Sequence, residues 1–455
     1  MISALAFTFL QASLSAIGSL IAGAIVASWL SRKTGRFGHL IETGLTLCFF
    51  LPPLSAVIGI AVVYGTQGMG LDVYGLTGIV LAHWLLNIPV ATYLFLQGFR
   101  RVPDAQVKLA IQFDRVWKLI DLDVLRRIAP LVLGITFLYA MLSFTIVLTL
   151  GGGPNTTTIE LAIYHAVRIE YDLGKALGLA SLQAMIGIGI FILLRKHFQS
   201  DTPALPRQIV LPNFRMRSVK VAVSASSYVI CVAIAAPIML VLLQGVRNFG
   251  SIADINIFDL LRHSVGLAIL TLLFTQFLCA LLFRYNFTSM AWGIGAMSPL
   301  AIAVGLILLL RAFVNPFQFG VLCVAFIQSI AMLPLASNLW KIGLNGVSKE
   351  ERRLMMQLMP RKRDRVSKFW IPTMSSTAIE TSAIIVALSI GDIGLLPLFA
   401  PAGYENLATK VLQSMSNYRF EAATGLNLMI LIIIALVLFA GRIWSIRLET
   451  KYAAA

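Results

Sequence analysis

Apolar residues in this chain come in runs long enough to cross a bilayer, and the polar positions collect in the gaps between them. A spanning helix needs roughly 20 largely apolar residues. The pattern predicts eleven such segments, near 5–30, 43–64, 77–99, 128–150, 174–194, 221–243, 263–283, 291–310, 317–340, 373–395 and 422–441. Two gaps differ from the rest: 102–130 (VPDAQVKLAIQFDRVWKLIDLDVLRRIAP) and 347–372 (VSKEERRLMMQLMPRKRDRVSKFWIP). In the first, Val107, Leu109, Ala110 and Phe113 fall at helical spacing among charged residues, and in the second Leu354, Met355 and Leu358 do. Short amphipathic helices lying under the membrane are the expected result. The Met359-Pro360 step then breaks the second helix, because proline lacks a donor and clashes with the preceding turn. A helix, a break and a second short helix make a plug suited to a groove on a partner; the plain alternative is two ordinary basic loops.

Composition fixes the class. With 58% hydrophobic and 12% charged residues and a mean hydropathy of +0.86, there is too little polar surface to cover a water-soluble globule. The chain reads as an all-α polytopic membrane protein. Its net charge of +16 suggests nucleic acid only until the charges are placed. The first segment has no basic residues before it and is followed by Arg32, Lys33 and Arg36, so it is not a signal peptide and Met1 starts on the outside. Threading alternate sides from there puts 29 of the 36 Lys and Arg in the loops after the odd-numbered segments, as the positive-inside rule requires. The charge is topology, the C-terminus is cytoplasmic, and nucleic-acid binding drops out. Cys48, Cys231, Cys279 and Cys323 all lie in apolar segments, where cysteine acts as a small hydrophobe rather than as a disulfide or metal framework.

The chain also repeats. Residues 197–220, with three prolines and no long apolar run, read as a cytoplasmic linker between modules at 1–196 and 221–455. Tyr171, Ala176, Gly178 and Leu179 match Tyr418, Ala423, Gly425 and Leu426 at a constant offset of 247, and Leu148 to Gly151 (LTLG) parallels Leu388 to Gly391 (LSIG). Two tandem copies of one membrane module account for this. The copies hold five and six segments; if each copy begins with the same outer helix, the first copy's place for it is upstream of Met1, and it is either lost from this protein or encoded ahead of an internal start.

No GxxxxGK[ST], HExxH or CxxC pattern occurs. The energy for any transport must come from elsewhere; if ATP drives it, the hydrolysing subunits are separate chains, and this chain is not expected to be an enzyme. Ionisable groups inside a membrane default to functional hypotheses; here they are Glu380 and Asp392 in the tenth segment and His83 in the third, with Glu42 and Glu160 at membrane edges. A cationic cargo favours a carboxylate or aromatic rings such as Trp84 and Tyr93 in its path. Equally, Glu380 lies two turns into its helix and is placed to pair with an arginine or to snorkel. Gly151, Gly152, Gly153 and Pro154 follow the fourth segment on the outer side, with Gly391, Asp392 and Gly394 as their counterpart. They either simply end helices or border an outer mouth as a gate or a contact for a binding protein.

The two amphipathic loops resemble the EAA loops of permease subunits of ATP-binding cassette importers, which precede the last two helices of each module. The residues that carry this are Val102-Pro103, Ala110, Gln112-Phe113 and Trp117 in the first copy, and Glu350, Gln357-Leu358 and Ile371-Pro372 in the second. Both copies depart from the family at its usual glycine, where Asp114 and Met359 stand, and the first loop is several residues shorter. Over most of the chain, the runs Ser143 to Ala166 (SFTIVLTLGGGPNTTTIELAIYHA), Val63 to Gly68, Gly78 to Pro89 and Ala387 to Phe399 resemble the fused two-module permeases of bacterial thiamine importers. The fused iron(III) permeases are the nearest competitors. The thiamine family also carries an upstream helix.

What the resemblance implies is a transport subunit of the bacterial inner membrane, importing thiamine or its phosphates. Its partners are a homodimeric ATPase that holds ATP and Mg, a periplasmic substrate-binding protein, and membrane lipid. The ATPase is expected to grip Pro103, Ala110, Gln112, Phe113, Asp114 and Trp117 on one side. On the other it is expected to grip Glu350, Gln357, Leu358, Met359, Pro360 and Pro372. Two other classes fit the topology. An ion-driven secondary transporter predicts a cluster of intramembrane carboxylates or histidines, which are sparse here, and a membrane scaffold needs no substrate path.

Overall fold

The computed structural model describes residues 2–33, 35–65, 68–151, 153, 156–198, 211–285, 288–345, 347, 349–359, 361–401 and 403–453. All regular structure among them is helical. The expected 197–220 linker lies outside the described residues over 199–210. The chain divides into two compact units, Met1–Gly250 and Ser251–Ala455.

The first unit contains α1 (Ile2–Leu30), α2 (Arg36–Leu47), α3 (Pro53–Tyr64), α4 (Leu76–Arg100) and α5 (Asp104–Gln112). It continues with α6 (Leu122–Met141), α7 (Thr145–Leu150), α8 (Ile159–Arg168), α9 (Leu173–Phe198) and α10 (Arg217–Arg247). α1 packs along α4 and α6, α4 meets α6, and α8 lies on α9, which also touches α6. Small residues allow the close approaches: a Cβ on Gly23 of α1 would sit 2.5 Å from the Cβ of Ala91 on α4. Such contacts matter in lipid, where helix association relies on packing and interhelical hydrogen bonds rather than on the hydrophobic effect.

The second unit holds α11 (Ile257–Arg284), α12 (Thr288–Gly295), α13 (Pro299–Leu310), α14 (Gly320–Asn345) and α15 (Lys349–Leu358). It ends with α16 (Lys362–Arg365), α17 (Ile371–Gly391), α18 (Leu396–Phe399), α19 (Leu407–Ser416) and α20 (Phe420–Ala453). Its packing repeats that of the first unit: α11 with α14 and α17, α14 with α17, and α20 with α17 and α19. The repeat reaches single torsions. Tyr171 and Tyr418, paired by the sequence offset, adopt the left-handed conformation with φ 55° and 57°.

Among the described residues, nine helices are long and apolar enough to cross a membrane, and a tenth span results if α2 and α3 count as one segment bent by 112°. The eleven expected segments therefore need correction. The segment at 291–310 is not one helix, because Ser298 caps α13 by accepting from the Leu300 and Ala301 N–H groups at 3.0 and 3.2 Å, with Pro299 next to it. Pro53 opens α3 in the same way, and both helices are 12 residues long. Twelve residues rise only about 18 Å, short of the roughly 30 Å hydrocarbon core. The segment at 128–150 is displaced: its span is Trp117–Met141, and the chain breaks before α7. Hydropathy shifts it outward because Asp121, Asp123, Arg126 and Arg127 lie in its first turns.

α10 has an unexpected place. It follows the linker and opens the module read as 221–455, yet it packs against α3 and α1 in the first unit. A Cβ on Gly59 of α3 would lie 2.9 Å from the Pro237 Cβ of α10, so this contact is intimate.

Candidate functional site

Each unit carries a short amphipathic helix followed by one widened π turn that leads into a spanning helix. In the first unit these are α5 and Trp117–Asp121 before α6; in the second, α15 with α16 and Val366–Trp370 before α17. Pro103 supplies the extended N-cap of α5, and Pro372 stands in the first turn of α17. The first connection between helix and π turn is three residues shorter, 113–116 against 359–365, which locates the expected shortening. The expected loop end at Pro130 falls inside α6, so this loop closes by residue 121.

α5 buries Val107 and Ala110 in one continuous core with Trp29 and Leu30 of α1, Phe95 and Phe99 of α4, and Ile120 of the π turn. Its other face leaves Leu109 and the capping Phe113 exposed, Phe113 at 61%, and Trp117 at the start of the π turn is exposed as well. α15 likewise buries Met355 and exposes Leu354 and Leu358, the last at 76%. Gln112-Phe113 and Gln357-Leu358 thus occupy matching helix ends, with a polar amide and an apolar side chain both turned outward. Glu350 is exposed in the first turn of α15.

Asp114 has φ 50°. The first loop therefore makes the left-handed turn that glycine takes most readily, at the position where the resembling family has glycine. Asp114 pairs there with Arg215. Met359 ends α15 and is not among the described non-glycine residues with positive φ; Pro360 lies outside the described residues.

At the opposite end, Gly391 closes α17 and Asp392 follows it. The Asp392 carboxylate accepts from the Gly394 N–H at 2.9 Å and from Gln328 Nε2 at 3.1 Å. Gln328 Oε1 accepts in turn from the hydroxyls of Thr271 and Ser389, at 3.0 and 3.1 Å. One network thus ties the end of α17 to α14 and α11. Sequence reasoning missed Gln328, Thr271 and Ser389, although three polar residues at apolar-run positions are a usable sign. In the first unit, Gly151 ends α7, and Leu150 accepts the Gly75 N–H at 2.6 Å. Gly153 is exposed, while Gly152 and Pro154 lie outside the described residues.

Each of the groups considered for a substrate path has a partner within its own unit. Glu380 pairs with Arg442 of α20 and accepts from Ser445 Oγ at 3.0 Å. Trp84 donates from Nε1 to the Leu14 carbonyl at 3.3 Å. Tyr93, nine residues on along α4 and so on its opposite side, meets Phe49 edge-on at 5.8 Å. His83 Nδ1 lies 3.3 Å from Ser15 Oγ in the packed first unit. Glu42 pairs with Arg100. Glu160, expected at a membrane edge, is buried and accepts from Gln183 Nε2 at 3.0 Å. Among the described residues no group of three or more His, Cys, Asp or Glu is placed to hold a metal ion.

Each unit thus sets one amphipathic loop on an all-helical frame of candidate membrane spans. Comparison with known proteins shows what the chain is similar to: over about 97% of its length it matches ThiP permeases of thiamine transport systems. It is 29% identical to the thiamine transport system permease protein ThiP of Brucella melitensis, covering 97% of this chain and 88% of that protein. For ThiP of Escherichia coli K12 the values are 29%, 93% and 86%, and for ThiP of Haemophilus influenzae 28%, 95% and 87%. No family model matches the chain, and no solved structure matches it.

Proposed function

We propose that this chain is the membrane subunit of an ATP-driven, binding-protein-dependent importer of the bacterial inner membrane, and that its cargo is thiamine and its phosphates. It consists of two tandem type I permease modules with five and six membrane segments, each proline-broken pair counted as one, and its C-terminus is cytoplasmic. A separate ATPase dimer holds ATP and Mg and grips the loops ending in Phe113 and Leu358. A periplasmic binding protein delivers the cargo to the opposite side, near Gly151, Gly153, Asp392 and Gly394.

The single observation that carries this reading is the matched pair of loops. Each has its inner face built into a unit and a Gln-apolar tip exposed, at equivalent places in a chain homologous to thiamine permeases throughout. A rigid lever with an exposed knob transmits force from a motor; a loop that only obeys charge topology needs no buried inner face. Coupling through such levers is a free energy shared between sites, so ATP and the loaded binding protein must favour the same state.

Proteoliposomes test the reading. Uptake of labelled thiamine is expected only with the ATPase, the binding protein and ATP all present. Uptake driven by an ion gradient alone overturns the class, and ATP-dependent uptake of ferric ion or another solute with no thiamine uptake overturns the cargo.

A further inference from the structure

Arg32, which charge counting treats as one topogenic residue among many, is the centre of a buried junction. Its guanidinium has a side-chain exposure of 4%, and its Nη2 lies 2.7 Å from Oδ2 of Asp121, whose side chain is fully buried. Nη1 donates to the Ser28 carbonyl at 2.7 Å, Nε donates to the Pro212 carbonyl at 3.0 Å, and the guanidinium stacks 3.8 Å from the centroid of the Phe214 ring. These four partners belong to three elements: the end of α1, the π turn that closes the first amphipathic loop, and the stretch that leads into α10. Next to it, the Leu211 N–H donates to the Ser31 carbonyl at 2.9 Å, and Leu211 is buried in the core that holds Val107, Ala110 and Ile120. Arg215 then pairs with Asp114 at the far side of the same loop.

We propose that residues 211–215 form a strap that fastens the first amphipathic loop to the end of α1, with Arg32 as its positioning residue. An arginine suits this role because its planar fork donates in several directions at once while its face stacks on an aromatic ring, which a lysine does not reproduce. The strap holds the loop directly at Asp114, through Arg215, and indirectly at Asp121, through Arg32, so the stretch that joins α5 to α6 moves only with α1 and the strap. The corresponding place in the second unit is built otherwise: its π turn ends in Trp370, and Arg352, from α15 itself, lies 5.7 Å from that ring. The two loops are therefore held by different means, the first by the chain that joins the modules. The functional weight of the strap rests on the proposed coupling of this loop to an ATPase; its existence does not.

Hydrogen exchange on the full-length protein in lipid nanodiscs reads the strap directly. Arg32→Gln is expected to speed exchange about tenfold or more in both 104–121 and 211–216, leaving 349–370 unchanged. Arg32→Lys should do so by less, and Phe214→Ala, which leaves the ion pair intact, should release 211–216 strongly and 104–121 measurably. If 104–121 keeps its protection in Phe214→Ala and Arg32→Lys, both membrane-inserted and monodisperse, the strap is overturned. If both segments loosen but ATPase stimulation and uptake in the reconstituted complex stay at the parent level, the strap stands and the coupling function of this loop falls.

Discussion

At the scale of single residues, charge pairs and turns decide what each candidate does. Glu380 is matched by Arg442 on a neighbouring helix, so Arg442→Gln should harm the protein more than Glu380→Gln, and the double variant should recover part of the loss. A double-mutant cycle on thermal inactivation is expected to show coupling of roughly 0.5–3 kcal/mol; additive losses would return Glu380 to the list of path residues. Gly394 has φ 51°, and a Cβ there would lie 2.8 Å from Gln328 Nε2 and 2.9 Å from Asp392 Oδ2. Gly394→Ala is therefore predicted to lower stability by about 1–2 kcal/mol, seen as earlier inactivation on heating. Little of this was legible in the sequence. The Glu380 carboxylate announced itself as an acid in an apolar run, but its partner lies 62 positions away. Asp114 was visible as a departure from a glycine position, whereas its left-handed backbone, which retains the turn, belongs to the fold.

Whole elements were read more securely, because periodicity and breakers act locally. The amphipathic spacing of Val107, Ala110 and Phe113 became α5, and α15 stops at Leu358, just before Met359. The errors have one physical source: counting apolar residues measures length and is blind to a cap. Ser298 and Pro299 are a helix start written in the sequence, yet the apolar run on both sides concealed it. Ser298→Ala should remove the acceptor for two backbone N–H groups, and a loss of about 1 kcal/mol is expected, detectable as faster proteolysis between α12 and α13. For the loops, Phe113→Asp and Leu358→Asp alter exposed tips and should change stability by no more than about 0.5 kcal/mol. They are expected to weaken capture of the ATPase by the permease in detergent, and undiminished capture by the double variant would count against these tips as the grip.

At the scale of the molecule, the duplication was legible because matched residues survive at a fixed offset, and the structure extends it to matched packing partners and to Tyr171 and Tyr418. The boundary between the copies was not legible in the same way. Residues 197–220 separate the modules in sequence, but packing divides the chain at Gly250, since α10 is bound to α1 and α3. Hydropathy marks α10 as a span without saying whose neighbour it is. Co-expressed fragments divided after Gly250 should therefore assemble into a protease-resistant complex more readily than fragments divided within 199–210. Equal resistance of the two pairs would mean that α10 contributes little to the first unit.

The position of α10 also sets a schedule for synthesis. At about 5–20 residues per second, the ribosome needs roughly 10–50 s to complete the 250 residues of the first unit. Until α10 emerges, the flanks of α3 and α1 that it will cover, Gly59 among them, face lipid instead.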